Sequence, residues 1–305
     1  MVSAVFHAPR RLVASDPVKR ADAATLHAVA PATKPKPVAR PSRAAHRPID
    51  WKGLALRVVP TVAGLAGLVA IWALLTMKST SFPTPAATFA EAVRLFSDPF
   101  YRKGPNDQGI GWNVLFSLER VAVGFGLAAM VGIPLGFMIG RFEFLNRMVS
   151  PLISLLRPVS PLAWLPIGLL VFKAANPAAI WTIFICSIWP MIINTAVGVK
   201  SVPEDYLNVA RVLRLSEWKV ITKILLPAVL PYMLTGVRLS VSTAWLVIVA
   251  AEMLTGGVGI GFWVWDEWNN LNVQHILIAI FVIGLVGLLL EQVLVTLARR
   301  VTFEA

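Results

Sequence analysis

Two charged side chains lie inside long apolar stretches of this sequence, where a charge needs a reason. Arg238 falls about ten residues into AVLPYMLTGVRLSVSTAWLVIVAAEM, close to mid-depth if the stretch is a spanning helix rising about 1.5 Å per residue. A charge at the centre of such a helix costs about 2.5–3.5 kcal/mol on insertion scales. Its guanidinium can attract a small anion through a pore. The structural alternatives are a salt bridge, to Glu252 or to another helix, or snorkelling to the interface. Glu252 is 14 residues further on, nearly on the same face but about 21 Å along a straight axis, too far for a direct pair. It reads as a structural or gate contact near the outer end, because a carboxylate repels anions. Ser240, Ser242 and Thr243 in the same stretch, and Asn194 and Thr195 in an earlier one, can donate to an oxyanion or bond a neighbouring helix. PVSPLAWLP, with Pro161 and Trp164, is a second pathway candidate. Prolines break helices, and broken helices can line a cavity.

No residues in the chain point to bond-breaking chemistry. There is no G-x-x-x-x-G-K-[ST] phosphate loop, no Ser/His/Asp constellation and no paired-carboxylate site. The four His are scattered and Cys186 is alone, so neither a metal cluster nor an intrachain disulfide is expected. The chain reads as a non-enzyme with no cofactor or metal of its own.

The elements that must position these side chains are membrane helices. The 305 residues are 57% apolar and 14% charged, against about 25% charged in soluble domains. Uncharged runs at Val58 to Met77, Val121 to Gly140, Ala174 to Val199 and Trp268 to Leu290 each reach spanning length. Two more, about 149–172 and 228–253, are interrupted by Arg157 and by Arg238. An all-α membrane protein of six spans is expected. Gly124, Gly126, Gly132 and Gly136 read as close-packing positions. Glu119, Arg120 and Arg157 read as interfacial anchors.

The net charge of +12 is uneven: residues 1–52 hold ten Lys/Arg against three Asp/Glu. This Pro/Ala-rich segment cannot bury a core and reads as a disordered basic tail, a topology signal or a contact for anionic lipid or a partner. It lacks the apolar region of a signal peptide. The membrane domain is expected over 53–300. Arg141, Arg147, Lys200, Arg211, Arg214, Lys219, Lys223, Arg299 and Arg300 fall on the same side as the tail, so both ends are expected in the cytoplasm. On the outer side, Pro83, Pro85 and Thr88 introduce an amphipathic, interfacial run through Phe96. The segment TGGVGIGFWVWDEWNN reads either as an aromatic belt or as an outer gate. Gly257, Gly259 and Trp263, with Glu252, are the candidate gate residues.

Residues 200–227 break the pattern of short loops. NVARVLRLSEWKVITKILLP has helical spacing, with Val209, Val212, Leu213, Trp218, Ile221, Ile224 and Leu225 on one stripe and Leu215 nearby. Ser216 reads as the N-cap of a second short helix. Pro227 then starts or bends the next span. This is either an amphipathic hairpin at the interface or a docking surface.

The segment resembles the cytoplasmic "EAA" loop of ABC-importer permeases. Ala210, Ile224, Leu226 and Pro227 match the pattern, while Asn208, Val209 and Arg214 stand where it has Glu, Ala and Gly. The Arg214 departure puts the usual tight turn in question. LLRPVSPLAWLPIGLLVF and AAEMLTGGVGIGFWVWDEWNN extend the resemblance over about 53–300, to the nitrate, sulfonate and taurine branch and most to its nitrate-type members. The resemblance implies a type I importer permease for a small anion: nitrate, or nitrite, cyanate or bicarbonate. It implies an inner-membrane homodimer with two ATPase subunits that carry ATP and Mg, and a periplasmic binding protein. Nucleic acid has no place in it. Docking is assigned by resemblance to Asn208, Val209, Ala210, Arg211, Leu213, Arg214, Leu215, Ser216, Trp218 and Pro227. Sulfonate or taurine transport, an ion-coupled secondary transporter and a non-transporting scaffold are the competing readings.

Overall fold

The computed structural model describes residues 51–78 and 82–303, with side chains over 59–78 and 82–298. The chain divides into Met1–Val58 and Val59–Ala305. The expected tail over 1–52 therefore lies almost wholly outside the described residues.

Apart from an isolated bridge between Arg102 and Gln108, regular structure among the described residues is helical. The order is α1 (Trp51–Thr76), α2 (Pro85–Leu95), α3 (Ile110–Arg141), α4 (Glu143–Leu156), α5 (Pro161–Phe172), α6 (Ala175–Lys200), α7 (Glu204–Val212), α8 (Glu217–Val220), α9 (Leu226–Thr255), α10 (Ile260–Asn269) and α11 (Val273–Phe303). A π-helical turn, Ile221–Leu225, joins α8 to α9.

Among the described residues, five helical runs are long and apolar enough to span: Val59–Thr76, Ile110–Arg141, Ala175–Lys200, Glu217–Thr255 and Val273–Ala298. The sixth expected span is not a straight helix. It is the pair α4 and α5, bent by 100°. The residues between them explain the break. Pro158 follows the last turn of α4, Ser160 caps α5 by accepting from Leu162 N–H at 3.4 Å, and Pro161 opens it. α2 likewise starts earlier than its sequence suggests. Thr84 is its N-cap, accepting from Ala87 N–H at 3.3 Å, and Thr88 is buried within the helix.

The core is built on α6, which packs between α3 and α9. Gly124, Ala128, Gly132, Gly136 and Gly140 recur every four residues or multiples of four along α3, making one narrow face. A Cβ on Gly136 would sit 2.6 Å from Thr195 Cβ, and one on Gly124 2.8 Å from Ile183 Cβ. The backbones can approach only because that face lacks side chains. Gly126 is off this face, with nothing within 4 Å of its Cβ position. On the other side of α6, Gly198 receives Tyr232 and Val229, and Gly236 of α9 receives Asn194. Ser240 Oγ donates to Ser187 O at 2.6 Å across this contact. Trp245 of α9 donates to Ile283 O of α11 at 3.0 Å. Trp72 of α1 stacks on Phe281 and donates to Pro83 O.

Candidate coupling segment and polar sites

α7 and α8 form a compact corner. α7 has Glu204 and Asp205 in its first turn and Arg211 in its last, which suits the helix dipole. It ends in a Schellman turn. Leu215 N–H donates to Ala210 O and Arg214 N–H to Arg211 O, both at 3.0 Å. Arg214 takes the left-handed conformation this turn requires, with φ of 48°. The tight turn is therefore kept without Gly, at a local cost of about 1–2 kcal/mol. Ser216 stands at the N-cap of α8, as its sequence suggests, but its hydroxyl makes no capping bond.

The predicted single apolar stripe is two faces. Ala210, Val220 and Leu225 are buried with Val199, Val202 and Val229, and Leu215, Ile221 and Ile224 pack against them. Tyr206, Val209, Val212, Leu213 and Trp218 point outward, with Val212 82% and Trp218 73% exposed. Ala210 and Leu215 thus anchor the corner rather than form its outer surface. Asn208, Arg211, Arg214 and Ser216 share the exposed side. Arg141 at the end of α3 meets Glu217 at 3.3 Å, which ties α8 to the bundle. Pro227 stands in the first turn of α9, directly after the π turn. Its missing N–H and bulky ring disturb the preceding turn, and the chain widens there into the π turn, where Leu226 N–H bonds Ile221 O.

At the other end of the bundle, Glu252 is 1% exposed and fully engaged. It takes Arg120 Nη1 at 2.6 Å and Gly261 N–H at 3.0 Å, and Ser117 Oγ lies within 2.9 Å of both its oxygens. Ser117 also accepts from Ile260 N–H at 2.9 Å, and Asn113 Oδ1 from Gly259 N–H at 3.0 Å. Arg120 continues to Val258 O and to Asn176 Oδ1. α3 thereby pins the Gly-rich turn before α10. Gly256, Gly257 and Gly259 have φ of 74°, 97° and 149°, and a Cβ on Gly259 would run into the Glu252 carboxylate. Arg120 is thus a half-buried partner of Glu252, not an interfacial anchor.

Trp263 is 7% exposed and belongs to the core rather than to an aromatic belt, whereas Trp265 and Trp268 are exposed. Trp263 stacks on His275 with ring centroids 5.5 Å apart. His275 Nε2 lies 3.0 Å from Glu91 of α2. Its Nδ1 is 3.0 Å from Glu267 of α10, though without hydrogen-bond alignment. One imidazole therefore joins three elements.

Arg238 is not paired with Glu252. It binds Glu291 of α11, and both side chains are partly exposed, at 53% and 41%. Glu291 and Ser242 line a cleft of about 390 Å³ between α9 and α11. Ser242 and Thr243 bond carbonyls of their own helix, as does Asn194. Asn194 faces α9 near Gly236, but Pro161 and Trp164 sit on α5, with Trp164 against the core. The five pathway candidates lie on three helices, α5, α6 and α9.

Residues 132–303, more than half of the chain, match the family described as binding-protein-dependent transport system inner membrane component. The chain belongs to that family. It is similar to the nitrate import permease protein NrtB of Leptolyngbya laminosa, 46% identical over 86% of this chain and 95% of that one. It is also similar to the bicarbonate transport system permease protein CmpB of Synechococcus elongatus, 43% identical over 82% and 91%. A chain of the MetNI methionine ABC transporter shares the fold, with a TM-score of 0.54 at 17% identity over 62% of this chain and 94% of that one.

This inner-membrane component holds more polar structure than its sequence announces. Asn113, Ser117 and Arg120 recur at i, i+4 and i+7, and the same α3 face continues as Val121, Gly124 and Ala128. That continuity is the signal by which they could be found. Glu252 carries no such signal, because its partners come from distant segments.

Proposed function

We propose that this permease carries a small inorganic anion inward, nitrate in the first instance, driven by ATP hydrolysed on separate subunits. The similarity to NrtB and CmpB over most of the chain supports the anion class. The observation that carries the coupling mechanism is the α7–α8 corner. It presents Val209, Val212, Leu213 and Trp218 on a turn locked by two backbone bonds and backed by a buried apolar cluster. A rigid apolar knob of this kind suits a groove on a soluble engine, and exposed apolar patches mark such contacts. Force on the knob reaches α9 through the short α8 and the π turn, and reaches α3 through the Arg141–Glu217 pair.

On this reading the corner faces the cytoplasm and both chain ends lie on that side. Two copies bind two ATPase subunits, which hold ATP and Mg, and a periplasmic binding protein docks at the α10 end. Arg238, with Glu291, borders the anion path, because a charge pair half-exposed on a membrane helix is costly against lipid.

The test is uptake by proteoliposomes holding permease, ATPases and binding protein. ATP-dependent nitrate accumulation is expected, and bicarbonate accumulation without nitrate would reassign the substrate. Leu213→Asp places a charge in the docked surface and is expected to abolish ATPase co-purification while the permease still inserts. Unchanged co-purification and uptake would remove the corner from the mechanism.

A further inference from the structure

α4 meets α6 through Val149 and Ile153, and beside that contact runs a polar stripe. Asn146, Ser150, Ser154 and Arg157 recur at i, i+4, i+8 and i+11, one stripe of a helix. With Ile192, Ile193, Ala196, Val197 and Lys200 of α6 they line a half-open groove of about 270 Å³, with Ile139 and Ile153 also in its wall; Ser154, Arg157 and Lys200 are exposed. The end of the pocket at Lys200 is one residue beyond the packing of Gly140 on Val199, and so belongs to the same end of the bundle as α7.

Two cations line this pocket and no carboxylate does. Among the described residues, neither the Arg157 guanidinium nor the Lys200 ammonium has an ion pair or a side-chain hydrogen bond. The nearby acids are already engaged. Glu143 accepts from Arg147 at 3.0 Å and Asn146 at 3.4 Å, and Glu217 meets Arg141. The hydroxyls are parked on local acceptors. Ser150 donates to Asn146 Oδ1 at 3.0 Å and Ser154 to Ser150 O at 2.9 Å. Either can rotate toward a ligand at the loss of one ordinary hydrogen bond.

An unpaired guanidinium and ammonium beside apolar walls call for an anion. The guanidinium fork fits two oxygens of an oxyanion and the ammonium adds a point charge. The volume lies below the range usual for drug-sized ligands, which suits a phosphate group and not a nucleotide. Leu152 and Leu155, on the flanking faces of α4, are 53% and 68% exposed and would lie beside acyl chains.

We infer that this pocket binds a phosphate-class oxyanion, either the phosphodiester of an anionic phospholipid or free inorganic phosphate. Arg157 clamps two oxygens, Lys200 balances the charge, and Ser150 and Ser154 donate to the remainder. Occupancy fastens α4 to α6 along the length of the pocket. The inference concerns a structural anion and does not depend on which substrate the permease carries.

The experiment uses the full chain in nanodiscs of phosphatidylcholine, with and without phosphatidylglycerol, and in phosphatidylcholine discs titrated with inorganic phosphate. Thermal melting and native mass spectrometry of retained lipid are the readouts. If a lipid is the source, phosphatidylglycerol raises Tm and is retained. If free phosphate is the source, phosphate raises Tm in phosphatidylcholine discs. In either case Arg157→Gln/Lys200→Gln is expected to weaken the effect about tenfold or more, since each lost charged hydrogen bond is worth at least that factor. Arg157→Lys keeps the charge but loses the fork, and is expected to fall in between. If the double variant fails to fold, Ser154→Leu fills the pocket without touching a charge and is expected to expel the same ligand. No response of wild type to either anion overturns the inference. So does equal retention of phosphatidylglycerol or phosphate by wild type and the pocket variants.

Discussion

Replacing Glu252 by Gln tests whether the pinned turn before α10 is held by charge or only by shape. The carboxylate is 1% exposed and faces Arg120, Ser117 and the Gly261 N–H. Gln keeps the volume but turns an NH₂ toward at least one of these donors. If the contacts acted as neutral interhelical bonds, at about 0.6 kcal/mol each, three of them would sum to about 2 kcal/mol. Breaking a buried ion pair on one side costs more, about 3–5 kcal/mol, because Arg120 is left uncompensated. For a domain of this size that corresponds to roughly 6–20 °C in Tm. The assay is thermal melting of the purified chain at one scan rate, for Arg120→Met, Glu252→Gln and the double variant. The double variant should cost less than the sum of the singles, with a coupling of up to about 3 kcal/mol. Single variants that melt within about 2 °C of wild type, or a strictly additive double variant, would refute the ion-pair argument.

Three further outcomes follow from the same geometry. Arg214→Gly relieves a left-handed arginine, so the α7–α8 turn should gain about 1 kcal/mol, seen as slower amide exchange at Leu215; faster exchange would contradict the Schellman assignment. Gly136→Leu should prevent folding, since even a Cβ would sit 2.6 Å from Thr195 Cβ, whereas Gly126→Leu should be silent because its Cβ position is open; equal yields of the two proteins would dismiss the α3–α6 seam. Arg238→Gln should cost under about 1 kcal/mol of stability, as its pair with Glu291 is half-exposed, yet lower anion uptake with the ATPases still bound; unchanged uptake would take Arg238 out of the path.

Much of the architecture is legible in sequence because the bilayer imposes a length. Runs of about 20 apolar residues mark a spanning helix wherever they occur, and they mark α1, α3, α6, α9 and α11 correctly. The corner between α7 and α8 is also local. Leu215, Ser216 and Glu217 punctuate the chain where α7 stops and α8 begins. What periodicity could not supply is direction. One stripe of apolar residues served equally for Val212, which faces out, and Leu225, which faces in, because both faces of the corner are apolar.

The sequence by itself determined a multi-span helical membrane protein, the position of its α7–α8 corner and the absence of a phosphate-loop motif, since each depends on residues near one another in the chain. Only the tertiary structure decided the pairing of its charges. Glu252 and Arg120 are 132 residues apart in sequence, and Arg238 and Glu291 are 53 apart. Such pairs form where α9 packs against α3 and against α11, contacts between segments far apart in the chain. The broken α4–α5 pair was decided at the same level. Prolines allow a bend of 100°, but packing against α6 sets it.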